Sequence, residues 1–161
     1  MPIYKIGNVL DADPPCVIAH IVNTKGVWGK VPSAGFVYQL EKKFSGVRQK
    51  YLDFHNANKI SDTTELGDVQ FVNHSGFVIA NMFGQTFGVE DGQPPIRYIE
   101  LQRCINSVQK FAHDHQLNVV CPRIGTGLAG GKWSIIVPLI PDEWTVYTLE
   151  SEVHLFERGR Q

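Results

Sequence analysis

Residues 121–133 read CPRIGTGLAGGKW: an apolar run from Leu117 to Pro122 feeds a turn holding four glycines, and a short helix follows from Lys132. A second segment has the same design. The nearly all-apolar run Val17 to Asn23 leads into HIVNTKGVWGKVPSAG, residues 20–35, whose Pro32-Ser33 predicts a helix start with Ser33 as N-cap. Apolar runs of this kind are the pattern of strands covered on both faces. In open α/β sheets, ligands sit at the carboxyl ends of such strands. Helix N-termini there present unpaired N–H groups and positive partial charge, which suits phosphate. Gly125, Gly127, Gly130 and Gly131 let the main chain come close to a diphosphate and take dihedrals barred to other residues. The same glycines also serve plain strand-to-helix turns, so the loops alone leave both readings open. Neither loop has the GxxxxGK[ST] spacing of a P-loop, and no GxGxxG follows the first strand.

Outward from these loops, strand and helix signals alternate. Ile3 to Val9 predicts a first strand, ended by the turn-prone Asp11-Ala12-Asp13-Pro14-Pro15. Phe36, Val37, Leu40 and Phe44 recur at helical spacing; Gly46 to His55 predicts a second helix, and Asn56 to Glu65 a polar loop. Gly67 to Val72 and Phe77 to Phe83 predict a hairpin through Asn73-His74-Ser75-Gly76. Phe83 to Pro95 is a Gly/Pro-rich loop of functional character. A long helix follows from Ile96 to His115, where Leu101, Ile105, Val108 and Ala112 recur at steps of four, three and four. Trp144 to Leu149 is the last internal strand. The expected fold class is α/β: one three-layer α/β/α domain over residues 1–150 with a mixed central sheet. Residues 151–161 form a charged tail, in which Val153 to Phe156 offers an edge strand.

Bulk properties agree. A chain of 161 residues, 43% hydrophobic and 19% charged, suits one ordinary globular domain. A formal net charge of −1 lacks the basic excess of a tight duplex nucleic-acid binder, yet main-chain amides hold phosphate without altering net charge. No run reaches the roughly 18 apolar residues of a membrane span, and MPIYKIGNVL is unlike a signal peptide. Cys16, Cys104 and Cys121 stand far apart, which points to reduced thiols and a cytoplasmic protein. His55, His74, His113, His115 and His154 form no ligand spacing, so no metal is expected.

The order and spacing of these segments resemble the macro domain family. The resemblance rests on Gly7-Asn8-Val9-Leu10, the run Ala19 to Lys30, Asn81-Met82-Phe83-Gly84-Gln85, Pro122 to Leu128 and Trp144 to Leu149, and so spans residues 3 to 149. It is nearest the branch of terminal ADP-ribose protein glycohydrolase and the yeast-type ADP-ribose 1″-phosphate phosphatase. The resemblance implies ADP-ribose, or an ADP-ribosylated substrate, as the partner, with no cofactor. By position, Asn8 and Val9 would meet the adenine end. The run Asn23, Thr24, Lys25, Gly26, Trp28, Gly29 would meet the distal ribose. Gly125, Thr126, Gly127, Leu128 and Ala129, preceded by Arg123 and Ile124, would wrap the diphosphate, with Phe83 or Phe87 as an aromatic wall. Three departures stand out: Asn8 replaces a common Asp, Val31-Pro32-Ser33-Ala34 lengthens the first loop, and Gln85 and Ala129 occupy the positions of the glycohydrolase Lys and Asp.

With that pair absent, His20 is the titratable candidate for acid/base work, and Asn23 for orienting a water or the ribose. Each has a competing structural reading: His20 as a satisfied core residue, Asn23 as a turn former. Lys25 reads equally as a phosphate contact or a solvated lysine. Trp28 is either a cleft wall or a loop anchor, and Arg123 either a phosphate partner or a structural ion pair. Gln85 can hydrogen-bond a ligand hydroxyl. Glu90 and Asp91 would reach the distal end if their loop folds over. The leading expectation is a hydrolase acting on an ADP-ribose derivative, ADP-ribose 1″-phosphate first and an ADP-ribosylated protein or nucleic acid second; the alternative is a non-catalytic ADP-ribose reader.

Overall fold

In the computed structural model, which describes residues 1–29, 35–60, 65–89, 92–127 and 129–149, the chain forms ten elements of regular structure. In order these are β1 Ile3–Ile6, β2 Cys16–Asn23, α1 Phe36–Lys43, α2 Val47–Ile60, β3 Val69–His74, β4 Phe77–Gln85, α3 Tyr98–His115, β5 Val119–Cys121, α4 Trp133–Ile136 and β6 Thr145–Thr148. Short 3-10 turns lie at Val9–Asp11 and Val137–Leu139. The sheet order is β1-β6-β5-β2-β4-β3, with only β3 antiparallel to its neighbour, so the sheet is mixed as expected.

Strand parity sorts the core into layers. Val17 and Ala19 of β2 meet Leu101, Ile105, Val108 and Ala112 of α3 on one face. Cys16 and Ile18 meet Leu40 and Phe44, from α1 and the turn after it, on the other. His20 has the parity of Ile18 and therefore lies on the α1/α2 side, not under α3. All four α3 positions picked by spacing are buried.

Several boundaries differ from the expectation. β1 ends at Ile6, because the Asn8 side chain accepts from Leu10 N–H at 2.9 Å and winds the chain into a 3-10 turn that buries Val9 and Leu10. α2 runs through the first five residues of the expected polar loop. Its inner side is anchored by fully buried Tyr51, and His55 Nδ1 meets buried Glu65 at 2.5 Å, so tertiary contacts carry Asn56 and Asn58 in helix despite weak propensity. Gly67 sits in a turn at φ +92°, which delays β3 to Val69. The hairpin turns on Ser75 and Gly76 alone, both at positive φ, the geometry that matches strand twist. β5 is shorter than the expected run because Gln116 adopts φ 54° to close α3, and Leu117 N–H still bonds Ala112 O. The expected α1 start at Ser33 and the tail Ser151 to Gln161 lie outside the described residues. No helix among the described residues is long and apolar enough to cross a membrane.

Candidate functional site

One cleft runs along the carboxyl ends of the parallel strands, in three adjoining chambers that share lining residues. The first, about 530 Å³, lies between Gly7-Asn8-Val9 after β1, Tyr147 of β6, and Thr126 and Gly127. The second, about 590 Å³, has Gly29, Gly35 and Phe36 on one side and Arg123, Ile124, Gly125, Gly127 and Ala129 on the other, with His20 and Gln85 also in its lining. The third, about 390 Å³, lies among Asn23, Val27, Trp28, Val37, Gln85, Phe87 and Pro95. Arg123, Phe36 and Gly127 are shared by the first two, Gly29, Val37 and Gln85 by the last two. The two glycine turns, roughly a hundred residues apart in sequence, thus face each other across a common space.

The second turn is shaped by close backbone packing. Gly131 N–H bonds Gly125 O at 2.7 Å and Gly130 N–H bonds Gly127 O at 3.0 Å. Gly125 has φ +77° and three isoleucine side chains around its missing Cβ, whereas a Cβ at Gly127 would meet nothing within 4 Å. Gly127 is the point where main chain is open to the cleft. Thr126 is turned back, donating from Oγ1 to Arg123 O at 3.0 Å.

The first turn is held by Asn23. Its Oδ1 accepts from Lys25 N–H at 3.0 Å, Val27 N–H at 3.2 Å and Tyr51 Oη at 3.0 Å, and its Nδ2 donates to Val27 O at 2.7 Å. Tyr51 belongs to α2 and was not singled out in the sequence. The amide is 8% exposed and organises the loop, so the turn-forming reading describes its geometry. Lys25 is exposed, and Thr24, Lys25 and Gly26 line none of the three chambers: Gly26 turns instead toward His55, whose ring lies 2.7 Å from where its Cβ would stand. Trp28 combines both readings offered for it. Its Nε1–H donates to Val37 O at 3.0 Å and its ring packs on Tyr51, while it also walls the third chamber.

Phe83 is a correction. It is fully buried and stacked with Tyr51 and Phe54 under α2, because β4 continues two residues past it; of the two phenylalanines, Phe87, 42% exposed, is the one at the cleft. A register shift between Val22 and Asn23 brings Asn23 opposite Gln85 and so sets both at the cleft mouth. Leu128, Glu90 and Asp91 lie outside the described residues.

His20 is 2% exposed, its ring edge-on to Trp28 and tilted against Phe36. Asn81 Nδ2 donates to Gln70 Oε1, which leaves Asn81 Oδ1 to accept from His20 Nε2–H. The ring is therefore protonated at Nε2 and carries its lone pair on Nδ1, a buried atom with no hydrogen-bond partner among the described residues. Burial pushes its pKa down to about 4, with the Asn81 bond opposing weakly, so His20 is neutral at pH 7. A folded pKa below the ordinary 6.5 means that the unfolded chain takes the proton first. The contribution of His20 is fully present above about pH 6.5 and is lost as pH falls toward 4, by about 3 kcal/mol. Urea midpoints measured at about pH 7.5 and pH 4.5 should fall by correspondingly less in His20→Gln than in the parent; equal falls would remove this assignment.

Among the described residues lining the cleft, Arg123 is the only charged side chain, its guanidinium 5.4 Å from the centre of the Trp133 ring. At the same end α1 begins on Gly35, at φ +91° with no side-chain cap, so its first-turn N–H groups lie beside the second chamber. Gly35, Phe36 and Val37 were legible only as a helix start and a core face, and Tyr147 only as part of the last strand; Gln39, which also lines the first chamber, carried no signal.

Solved structures supply a comparison. A protein of unknown function from Bacteroides thetaiotaomicron matches at TM-score 0.81 and 36% identity, over 92% of this chain and 98% of that one. An Oceanobacillus iheyensis macrodomain variant solved with ADPR shares the fold at TM-score 0.68 and 15% identity, over 98% and 90% of the two chains. No family model and no curated protein matches the chain. A macrodomain protein from Streptomyces coelicolor aligns at 31% identity and TM-score 0.73, over 92% of this chain and 99% of that one. An identity of that size, carried through nearly the full length of both chains on a shared mixed sheet, makes this protein a member of the macrodomain family.

Proposed function

We propose that the cleft binds ADP-ribose, free or as part of a larger molecule, with the diphosphate in the second chamber. The observation that carries this reading is the meeting of Gly29, Gly35, Gly125 and Gly127 around one space whose only charged lining group among the described residues is the cation Arg123. A pyrophosphate is the ligand that rewards main-chain N–H groups, a helix start and one guanidinium in such a place. Asn8, Val9 and Tyr147 then flank the adenine end, and Gly29 and Gln85, shared by the second and third chambers, the distal sugar. The ADPR-bound Oceanobacillus macrodomain supports the choice of ligand. We place the chain, as part of this proposal, with the branch of the terminal glycohydrolase and the ADP-ribose 1″-phosphate phosphatase, with residues 1–150 as the working unit.

Two modes of action fit such a site. The better supported is a reader: Gln85 and Ala129 replace the branch's Lys and Asp, and Asn23 is occupied with its own loop. Hydrolysis has one observation in its favour: His20, a residue in the lining of the second chamber, keeps a lone pair on Nδ1 with no hydrogen-bond partner among the described residues. Calorimetric titration with ADP-ribose, followed by incubation with ADP-ribose 1″-phosphate and with an ADP-ribosylated protein, separates the modes. Binding without product is expected. Product that His20→Ala abolishes, with ADP-ribose affinity kept, would establish the hydrolase instead; absence of binding would overturn the ligand assignment.

A further inference from the structure

The third chamber does not match what a bare sugar needs. Its described lining is mostly Val27, Trp28, Val37, Phe87, Val89 and Pro95, with no ionisable side chain. The two polar residues are partly spent: Asn23 on its own loop and Tyr51, and Gln85 Nε2 on Thr86 O at 3.3 Å. A ribose buried against such walls would leave hydroxyls short of partners, at about 1–3 kcal/mol for each unsatisfied group. A phosphate would find no cation among the described side chains there. At about 390 Å³ the space is within the range of pockets that hold small organic groups, and it adjoins the diphosphate chamber, sharing Gly29, Val37 and Gln85 with it. Its aromatic members suit a flat, uncharged ring, and the Gln85 amide can meet a polar ring substituent. Phe87 and Val89, 42% and 72% exposed, line it with their side chains partly in the open.

Resting on the ADP-ribose reading, we infer that the natural ligand carries an uncharged planar ring on its distal sugar, seated in the third chamber against Trp28 and Phe87. The site then discriminates by the group attached to ADP-ribose and not by ADP-ribose alone.

The test compares, by calorimetry on the whole chain, ADP-ribose, ADP-ribose 1″-phosphate and the reduced nicotinamide dinucleotide, which is ADP-ribose bearing an uncharged, nearly flat ring. The reduced dinucleotide should bind at least about tenfold more tightly than ADP-ribose. The oxidised form, with its cationic ring, should gain less. In Phe87→Ala the affinity ratio of reduced dinucleotide to ADP-ribose should fall toward one. Val89→Asp, which sets a charge on the rim, should lower the same ratio and serves should Phe87→Ala not fold. If ADP-ribose binds but the reduced dinucleotide binds no better, or the 1″-phosphate binds best, the ring is wrong while the cleft assignment stands. If none of them binds, both fail together.

Discussion

Gly127→Glu is expected to lower ADP-ribose affinity by about a hundredfold or more while leaving the unfolding midpoint nearly unchanged. The two halves of that expectation have separate physical sources. A Cβ at Gly127 meets nothing within 4 Å, and no positive φ restricts the position, so the fold accepts a side chain. That side chain enters the space shared by the first two chambers, where the diphosphate is placed. A carboxylate there opposes the phosphate charge in a partly desolvated site and fills its volume, each effect amounting to a kcal/mol or more. Gly127→Ala should be milder on binding and equally silent on stability. Undiminished affinity in the Glu variant would move the diphosphate elsewhere.

Four residues on, the outcome reverses. Gly131→Ala should destabilise the fold by about 2–3 kcal/mol and weaken binding only as a consequence. An added Cβ would lie 2.4 Å from Gly125 O and 2.8 Å from Ile136 Cδ1. The oxygen belongs to the backbone and is the acceptor of the Gly131 N–H bond that closes the turn, so no side-chain rotation relieves the clash. Denaturant unfolding of Gly131→Ala beside Gly127→Ala reads the contrast directly. Equal midpoints in the two variants would show that the turn closes differently.

That pair illustrates what the chain's letters convey and what they withhold. Both glycines read alike in GTGLAGG, as residues giving conformational freedom to a phosphate loop. Only packing distinguishes the one that is open from the one that is filled. Strands and their burial were far more legible, because the parity of β2 and the spacing of α3 are local consequences of geometry. Phe83 and Phe87 lie four residues apart in an aromatic-rich stretch, and their roles depend on where β4 stops, which the bulge at Asn23 and Gln85 helps determine. Parity does not separate them, since both are odd-numbered and both faces of β4 are buried. Tyr51 illustrates the opposite limit. It supports the first turn from 28 residues away, by bonds to Asn23 O and Oδ1, and nothing in VRQKYLDF announces that. Asn23 was legible as a loop residue, while its bonds to Lys25 and Val27 N–H emerge only once that loop has closed.

The proposal of two main-chain turns gripping one pyrophosphate is most directly examined by following backbone amide resonances of ¹⁵N-labelled protein as ADP-ribose is added. The amides of Gly29, Gly125 and Gly127 should show the largest downfield movements, saturating together with one affinity, while those of β3 and the outer face of α3 stay still. Large changes confined to surfaces away from the strand ends, or saturation with the glycine amides unmoved, would contradict it.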